Sequence, residues 1–173
     1  MKLVRSFPAN PPNGRNYIVD DAERIAVDNY DYAALADIKD NVIQLDWDTA
    51  VSRGDLIRFA KQAGREPGRP LVAPVPIYAD NAPGITGPYV WNCRKYLPGM
   101  AAMRLVEEWE PDCDLFGFGM VYLPRDKILE FIDTGWHFDD GTFSSWYFSR
   151  YGPTSITWDV RPVHIHYRIS EVI

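Results

Sequence analysis

The chain has 173 residues, 46% of them apolar, which is enough to bury one sizeable core, so 1–173 reads as a single domain with 1–16 as an irregular N-terminal arm. Its 18 basic and 24 acidic residues give no basic footprint of the kind that drives non-specific nucleic-acid or anionic-membrane binding. Cys93 and Cys113 fall in no CxxC or disulfide-framework spacing, no stretch approaches a membrane span, and the N-terminus lacks an apolar leader, which together suit a cytoplasmic protein; homo-oligomerisation stays open.

Pro8 to Asn16 holds three prolines and a glycine and reads as loop. Tyr17 to Asp20 and Arg24 to Asp28 are short β-leaning pieces, Tyr30 to Ile38 suits a short helix, and Asn41 to Asp46 is a strand. Ser52 fits an N-cap, and Leu56, Phe59, Ala60 and Ala63 recur at helical spacing until Gly64. A turn over Arg65 to Arg69 leads to Leu71 to Tyr78, whose Pro74 and Pro76 predict an edge strand, and then to a glycine-proline loop from Asp80 to Pro88. Met100 to Trp109 fits strand or helix, and Asp114 to Leu123 reads as a strand containing Gly117 and Gly119. A short helix is expected over Arg125 to Ile132 and an aromatic one over Thr142 to Tyr151, ending at Gly152-Pro153. Ser155 to Trp158 and Val163 to Ile169 are strands. This interleaving predicts an α/β protein with a mixed central sheet covered by helices.

Four constellations carry chemistry. Asp46-Trp47-Asp48 sets two carboxylates at the exit of an apolar strand, a donor pair suited to a hard divalent cation, although acidic pairs at strand ends are more often solvated turn residues. The late strand alternates so that His164 and His166 share a face, and either can ligate, orient a ligand or simply sit half-buried in a sheet. Asp139 and Asp140 precede the aromatic helix, where a carboxylate can cap the helix or act as general base. Asp114-Leu-Phe-Gly-Phe-Gly-Met alternates glycine with bulky residues, permitting close approach by a ligand or by another backbone.

In this order the four pieces resemble a GT-A type glycosyltransferase, the class that uses nucleotide-diphospho-sugars and carries Asp-x-Asp at a strand end. Ile43-Gln-Leu-Asp46-Trp-Asp48-Thr resembles the metal-binding strand end, and Gly117-Phe-Gly119-Met-Val-Tyr-Leu-Pro-Arg125 the central strand. Asp140-Gly-Thr-Phe-Ser144 resembles the acceptor-side motif, and Trp158-Asp-Val-Arg-Pro-Val-His-Ile-His166 the late strand whose histidine completes the metal site. The likeness covers about Asn41 to Tyr167. It implies a Rossmann-like fold with a mostly parallel sheet, and transfer of a sugar to an acceptor hydroxyl on a protein, a glycan or a modified nucleic-acid base. It further implies Mn²⁺ or Mg²⁺ held by Asp48, Asp46 and His166, with His164 the second choice, and Asp140 as base with Asp139 its rival. Trp47, Tyr89, Trp91, Asn92, Gly117, Gly119 and Trp146 are then donor- or acceptor-side candidates.

The chain departs from that family ahead of Asp46, where the nucleoside-binding half is shortened; Ser6, Phe7, Pro8, Arg15 and Asp20 are the candidates there. Two other classes compete. A metal-dependent hydrolase or cupin-like protein would also join His and Asp on one cation, and a non-catalytic carbohydrate-binding module would use the aromatic residues as stacking platforms.

Overall fold

The computed structural model describes residues 1–8, 21–27, 30–78, 89–99 and 102–164, the side chains of Ile77, Tyr78, Tyr89 and Val90 excepted. In chain order the elements are β1 (Lys2–Pro8), β2 (Glu23–Val27), a 3-10 turn (Ala33–Asp37), β3 (Val42–Asp46), β4 (Thr49–Ala50) and α1 (Arg53–Ala63). Next come β5 (Leu71–Val72), β6 (Pro76–Tyr78), β7 (Tyr89–Trp91), β8 (Cys93–Tyr96), β9 (Met103–Leu105), β10 (Asp112–Cys113) and β11 (Leu115–Phe116). The chain continues through β12 (Met120–Leu123), α2 (Arg125–Ile132), α3 (Asp140–Tyr151), β13 (Thr154–Ile156) and β14 (Val163–His164).

A seven-stranded sheet in the order β10-β13-β5-β12-β3-β1-β2 forms the centre. β1, β2, β3, β5 and β13 run one way and β12 and β10 the other, so the sheet is mixed and mostly parallel, in a Rossmann-like α/β arrangement. Strand alternation sorts the side chains onto two faces. Ile43, Leu45, Ala73, Met120 and Tyr122 pack with Phe59 and Ala63 of α1 on one side. Val4, Val42, Val72, Val121 and Leu123 belong to the core that also contains Ile128 and Phe131 of α2 and Phe143, Trp146 and Tyr147 of α3. Each helix thus supplies the apolar cover that a sheet face needs.

Helix boundaries follow local chemistry. Ser52 Oγ accepts the Asp55 amide at 3.0 Å and starts α1 as expected. α3 begins two residues earlier than its apolar pattern suggests, because Asp139 accepts the Thr142 amide at 2.7 Å in a reciprocal capping box. α2 follows Pro124 and spans Arg125–Ile132, as the sequence predicts.

Several expectations need correction. Where an irregular arm is expected over 1–16, Lys2–Pro8 is an interior strand between β2 and β3, while 9–16 lie outside the described residues. Lys2, Arg5 and Ser6 hide this strand's pattern; Arg5 is only 1% exposed, and its Nη1 donates to the carbonyls of Asp46 at 2.6 Å and Thr49 at 2.8 Å. Leu71 to Tyr78 is no edge strand: Leu71–Val72 lies inside the sheet, and past Pro74 the chain leaves to pair β6 with β7. Asp114 to Leu123 divides into β11 and β12, with the two glycines in the break. Only a 3-10 turn forms within Tyr30 to Ile38. Tyr17 to Asp20, the whole 80–88 loop and the last strand beyond His164 lie outside the described residues.

Candidate functional site

β2, β1 and β3 are parallel and adjacent in that order, so the chain moves outward from β1 to β2 and then crosses back to β3. The carboxyl ends of strands beside such a reversal leave a crevice, where open α/β sheets bind ligands. Asp46 closes β3 at this point. Ser6 of β1 donates through Oγ to Asp46 Oδ1 at 3.1 Å, and the Tyr32 hydroxyl donates to the same oxygen at 3.1 Å. Behind them Gln44 Nε2 donates to Ser6 Oγ at 2.6 Å and to the Leu45 carbonyl at 2.9 Å. A polar ladder along one face of β3 and β1 therefore fixes the carboxylate, while Arg5 on the opposite face ties down the turn after it.

The charges crowd here. Burial, followed by the nearby Asp48 carboxylate, holds the Asp46 carboxyl up at about 6, and Asp140 adds to the effect. The Tyr32 hydroxyl is pushed well above its ordinary value by burial and by Asp46 and Asp140. β14 pairs with β4 so that His164 stands opposite Thr49, and His164 Nε2 lies 2.8 Å from Asp48 Oδ2. That hydrogen bond raises the imidazole above its ordinary value against the opposing effect of burial.

Asp140 comes from the other side. As the first residue of α3 it is half-buried, held by the backbone N–H groups of Gly141 and Phe118, and burial raises its carboxyl despite those bonds. The break between β11 and β12 makes room for it: a Cβ on Gly117 would stand 3.2 Å from Asp140 Oδ2 and from Asn92 Nδ2. On Gly119 a Cβ would come within 2.7 Å of Val75 Cγ2, so the second glycine answers to packing. Asn92 knits the wall together, accepting the Val75 amide at 2.8 Å and donating to the Gly117 carbonyl at 3.2 Å. Beside this wall opens a cleft of about 280 Å³ lined by Asn92, Arg94, Met103, Gly117, Asp140 and Ser144.

Of the residues singled out from sequence, Asp46, Asp48 and His164 adjoin one another and Asp140 acts on Asp46 electrostatically from α3, with Asn92 and Gly117 on the cleft wall. Trp47 is half-buried in the turn between the two aspartates. Asp139 lies next to Asp140 but spends its Oδ1 on the helix cap. Trp146 is 6% exposed in the α3 core against Phe131 and Phe143, and Trp91 packs edge-on against Trp158 at 5.2 Å; neither faces the carboxylates. His166 and the side chain of Tyr89 lie outside the described residues. Arg5, Gln44 and Tyr32 are site-building residues that no sequence motif marks. Only a basic and an amide residue set among strand apolars hint at the first two.

Two carboxylates on one turn, one of them elevated by burial and then by its neighbour, suit an oxygen-preferring divalent cation. Among the described residues no group of three or more His, Cys, Asp or Glu side chains can hold a metal ion by itself. The pair fits the Mg²⁺ or Mn²⁺ pattern in which one or two carboxylates share the ion with substrate phosphates and water.

The fold defines a Rossmann-like α/β protein. No known family model matches the sequence, and no curated protein sequence matches it. Among solved structures it is similar to A197 from STIV, with a TM-score of 0.60 at 14% identity, covering 96% of this chain and 87% of that one. At that identity the likeness concerns the fold alone.

Proposed function

We propose that the protein is a metal-dependent glycosyltransferase that moves a sugar from a nucleotide-diphospho-sugar to an acceptor hydroxyl. The observation that carries this reading is the Asp46–Asp48 pair at the end of β3 beside the β1/β3 reversal, with Asp140 within electrostatic reach of Asp46 and on the wall of an open cleft. Asp46 and Asp48 would share Mn²⁺ or Mg²⁺ with the donor's diphosphate, with His164 or His166 as a further ligand. When bound there, the ion would offset the charge that develops on the departing diphosphate.

The chain's own residues do the rest. Ser6 and Tyr32 fix Asp46 so that the carboxylate does not reorganise during turnover. Asp140, raised by burial, receives the acceptor's hydroxyl proton while the acceptor oxygen bonds to the anomeric carbon and the sugar–diphosphate bond breaks with its electron pair leaving on the diphosphate. Asn92 and Ser144 border the space where acceptor hydroxyls would lie. Proteins, glycans and modified bases all offer such hydroxyls.

Calorimetric titration with UDP-, GDP- and TDP-sugars in Mn²⁺ and in EDTA tests the proposal. Metal-dependent binding should appear with at least one donor and be lost in Asp48→Ala, whereas Asp140→Asn should keep donor binding and lose roughly 10²- to 10⁴-fold in transfer, the usual worth of a general base. Binding that ignores metal, or that survives Asp48→Ala unchanged, refutes it.

A further inference from the structure

The cleft that holds Asp140 also holds a charge that the transfer chemistry does not use. Pairing of β8 with β11 sets Leu115 opposite Arg94 and Phe116 opposite Cys93, and the register continues to Gly117 and Asn92, where the Gly117 amide donates to the Asn92 carbonyl at 2.9 Å. Alternation then puts Asn92 and Arg94 on one face, and both line the cleft. Asp140 lies over the Gly117–Asn92 pair, since a Cβ on Gly117 would stand 3.2 Å from its Oδ2. Arg94 follows two residues along, roughly 7 Å away at strand spacing.

Arg94 is exposed, and among the described residues its guanidinium has no ion pair, hydrogen bond or ring contact. Acids are not scarce around it. Lys95, on the opposite face, takes Asp112 at 2.7 Å and Glu110 at 3.5 Å, and Arg104 of β9 takes both Glu110 oxygens. Asp114 spends its Oδ2 on the Tyr96 amide at 2.7 Å. A chain with 24 acidic and 18 basic residues thus neutralises the cations behind this sheet and leaves the one in the cleft open. Leu115 and Met103, which line the cleft with it, are apolar and offer no acceptor of their own.

A ligand that spans these two points brings a hydroxyl to Asp140 and an anionic group to Arg94, with one ring-sized unit between them. Arginine presents a planar fork of donors that fits carboxylate or phosphate oxygens in pairs. The cleft, of about 280 Å³, holds a single such unit.

We propose that Arg94 selects an acidic acceptor, a sugar unit whose own carboxylate or phosphate is held by Arg94 while one of its hydroxyls faces Asp140. This rests on the transferase reading and narrows its acceptor. Glucuronate, galacturonate, glucose 6-phosphate and mannose 6-phosphate are titrated into the wild-type chain, alone and with Mg²⁺ plus UDP, GDP or TDP, against glucose, galactose, mannose and inorganic phosphate. The backbone ¹H–¹⁵N signals of Arg94, Gly117 and Gly141 are the readout, and the two kinds of acid separate carboxylate from phosphate recognition. At least one acid should shift these signals saturably at concentrations up to about 10 mM, above the roughly 1 mM Kd of a weak ligand. It should bind about tenfold or more tighter than its neutral counterpart and than inorganic phosphate, the worth of one charged hydrogen bond. Arg94→Gln should abolish that preference and Arg94→Lys restore part of it, while metal-dependent donor binding, followed by calorimetry, should persist in both. Arg94 has no partner to lose, so neither variant threatens the fold. No saturable shift with any acid, equal affinity for the neutral sugar or for inorganic phosphate, a preference that survives Arg94→Gln, or donor binding lost in Arg94→Gln overturns the proposal. Acid binding through Arg94 in a wild-type chain that binds no donor refutes the transferase reading, and with it the acceptor role, and leaves the acid site itself standing.

Discussion

Asp46→Asn should stabilise the protein at neutral pH. The substitution keeps the shape of the side chain and an acceptor oxygen for Ser6 and Tyr32, and removes a charge that its surroundings resist. The carboxyl is held up at about 6 against an ordinary 3.8, so folding favours the proton-bound form. The sign follows: this raised group contributes fully to stability below its unfolded value, and the contribution is lost as pH rises through the folded value. Asn does not titrate, so the advantage of the variant is near zero below pH 3.8 and grows until about pH 6, where it levels off. Holding the carboxyl at about 6 rather than 3.8 corresponds to about 3 kcal/mol as an upper bound. A gain of about 1 to 3 kcal/mol is expected, or roughly 2 to 12 °C in Tm for a chain of this size. Thermal and urea unfolding of both proteins at pH 3.5, 5, 6.5 and 8, in EDTA, measures it. Parallel stability curves, or a variant less stable than wild type at pH 8, would refute the electrostatic reasoning, whatever the function of the site.

Gly119→Ala and Gly117→Ala should differ although both sit in one motif. At Gly119 the new methyl meets Val75 Cγ2 at 2.7 Å and Cβ at 3.1 Å, inside packed core, and should cost about 1 to 3 kcal/mol in chemical denaturation. At Gly117 the neighbours are the tips of Asn92 and Asp140 at 3.2 Å, which can yield, and the entropy gain of replacing glycine, about 0.4 to 1 kcal/mol, should bring stability close to neutral while displacing Asp140. A larger loss at Gly117 than at Gly119 would contradict this. Glu110→Gln should lower stability at neutral pH, and the deficit should vanish in acid. Arg104 bonds both Glu110 oxygens, at 2.8 and 2.6 Å, and depresses the carboxyl to about 2. Its contribution is present above 4.5 and lost as pH falls through about 2. After solvent screening it should be about 1 kcal/mol at pH 7, and urea unfolding of both proteins should converge near pH 2.

What could be read from residues alone divides by physical cause. The caps at Ser52 and Gly64, the strand ending at Asp46 and the helix after Pro124 were legible because each is fixed by local chemistry within a few positions. β1 was not, since Arg5 and Ser6 are buried polar residues whose partners lie 38 to 44 positions away. The division at Gly117 and Gly119 was likewise invisible, because it depends on Val75 and Asn92 approaching from other strands. The motifs that form the carboxylate cluster could be named one by one. Their meeting depends on the sheet order, which no single motif encodes.

That order also bears on how the chain can be made. β2, β1 and β3 can pair once about 46 residues are free, yet β5 joins them only through β12, which slides antiparallel between β3 and β5. Until Met120–Leu123 leaves the ribosome, the nascent chain presents Val42, Ile43 and Leu45 on an open, apolar strand edge. Such edges invite pairing with other chains. A stop or cleavage shortly before residue 120 should therefore yield insoluble aggregates rather than a smaller folded protein.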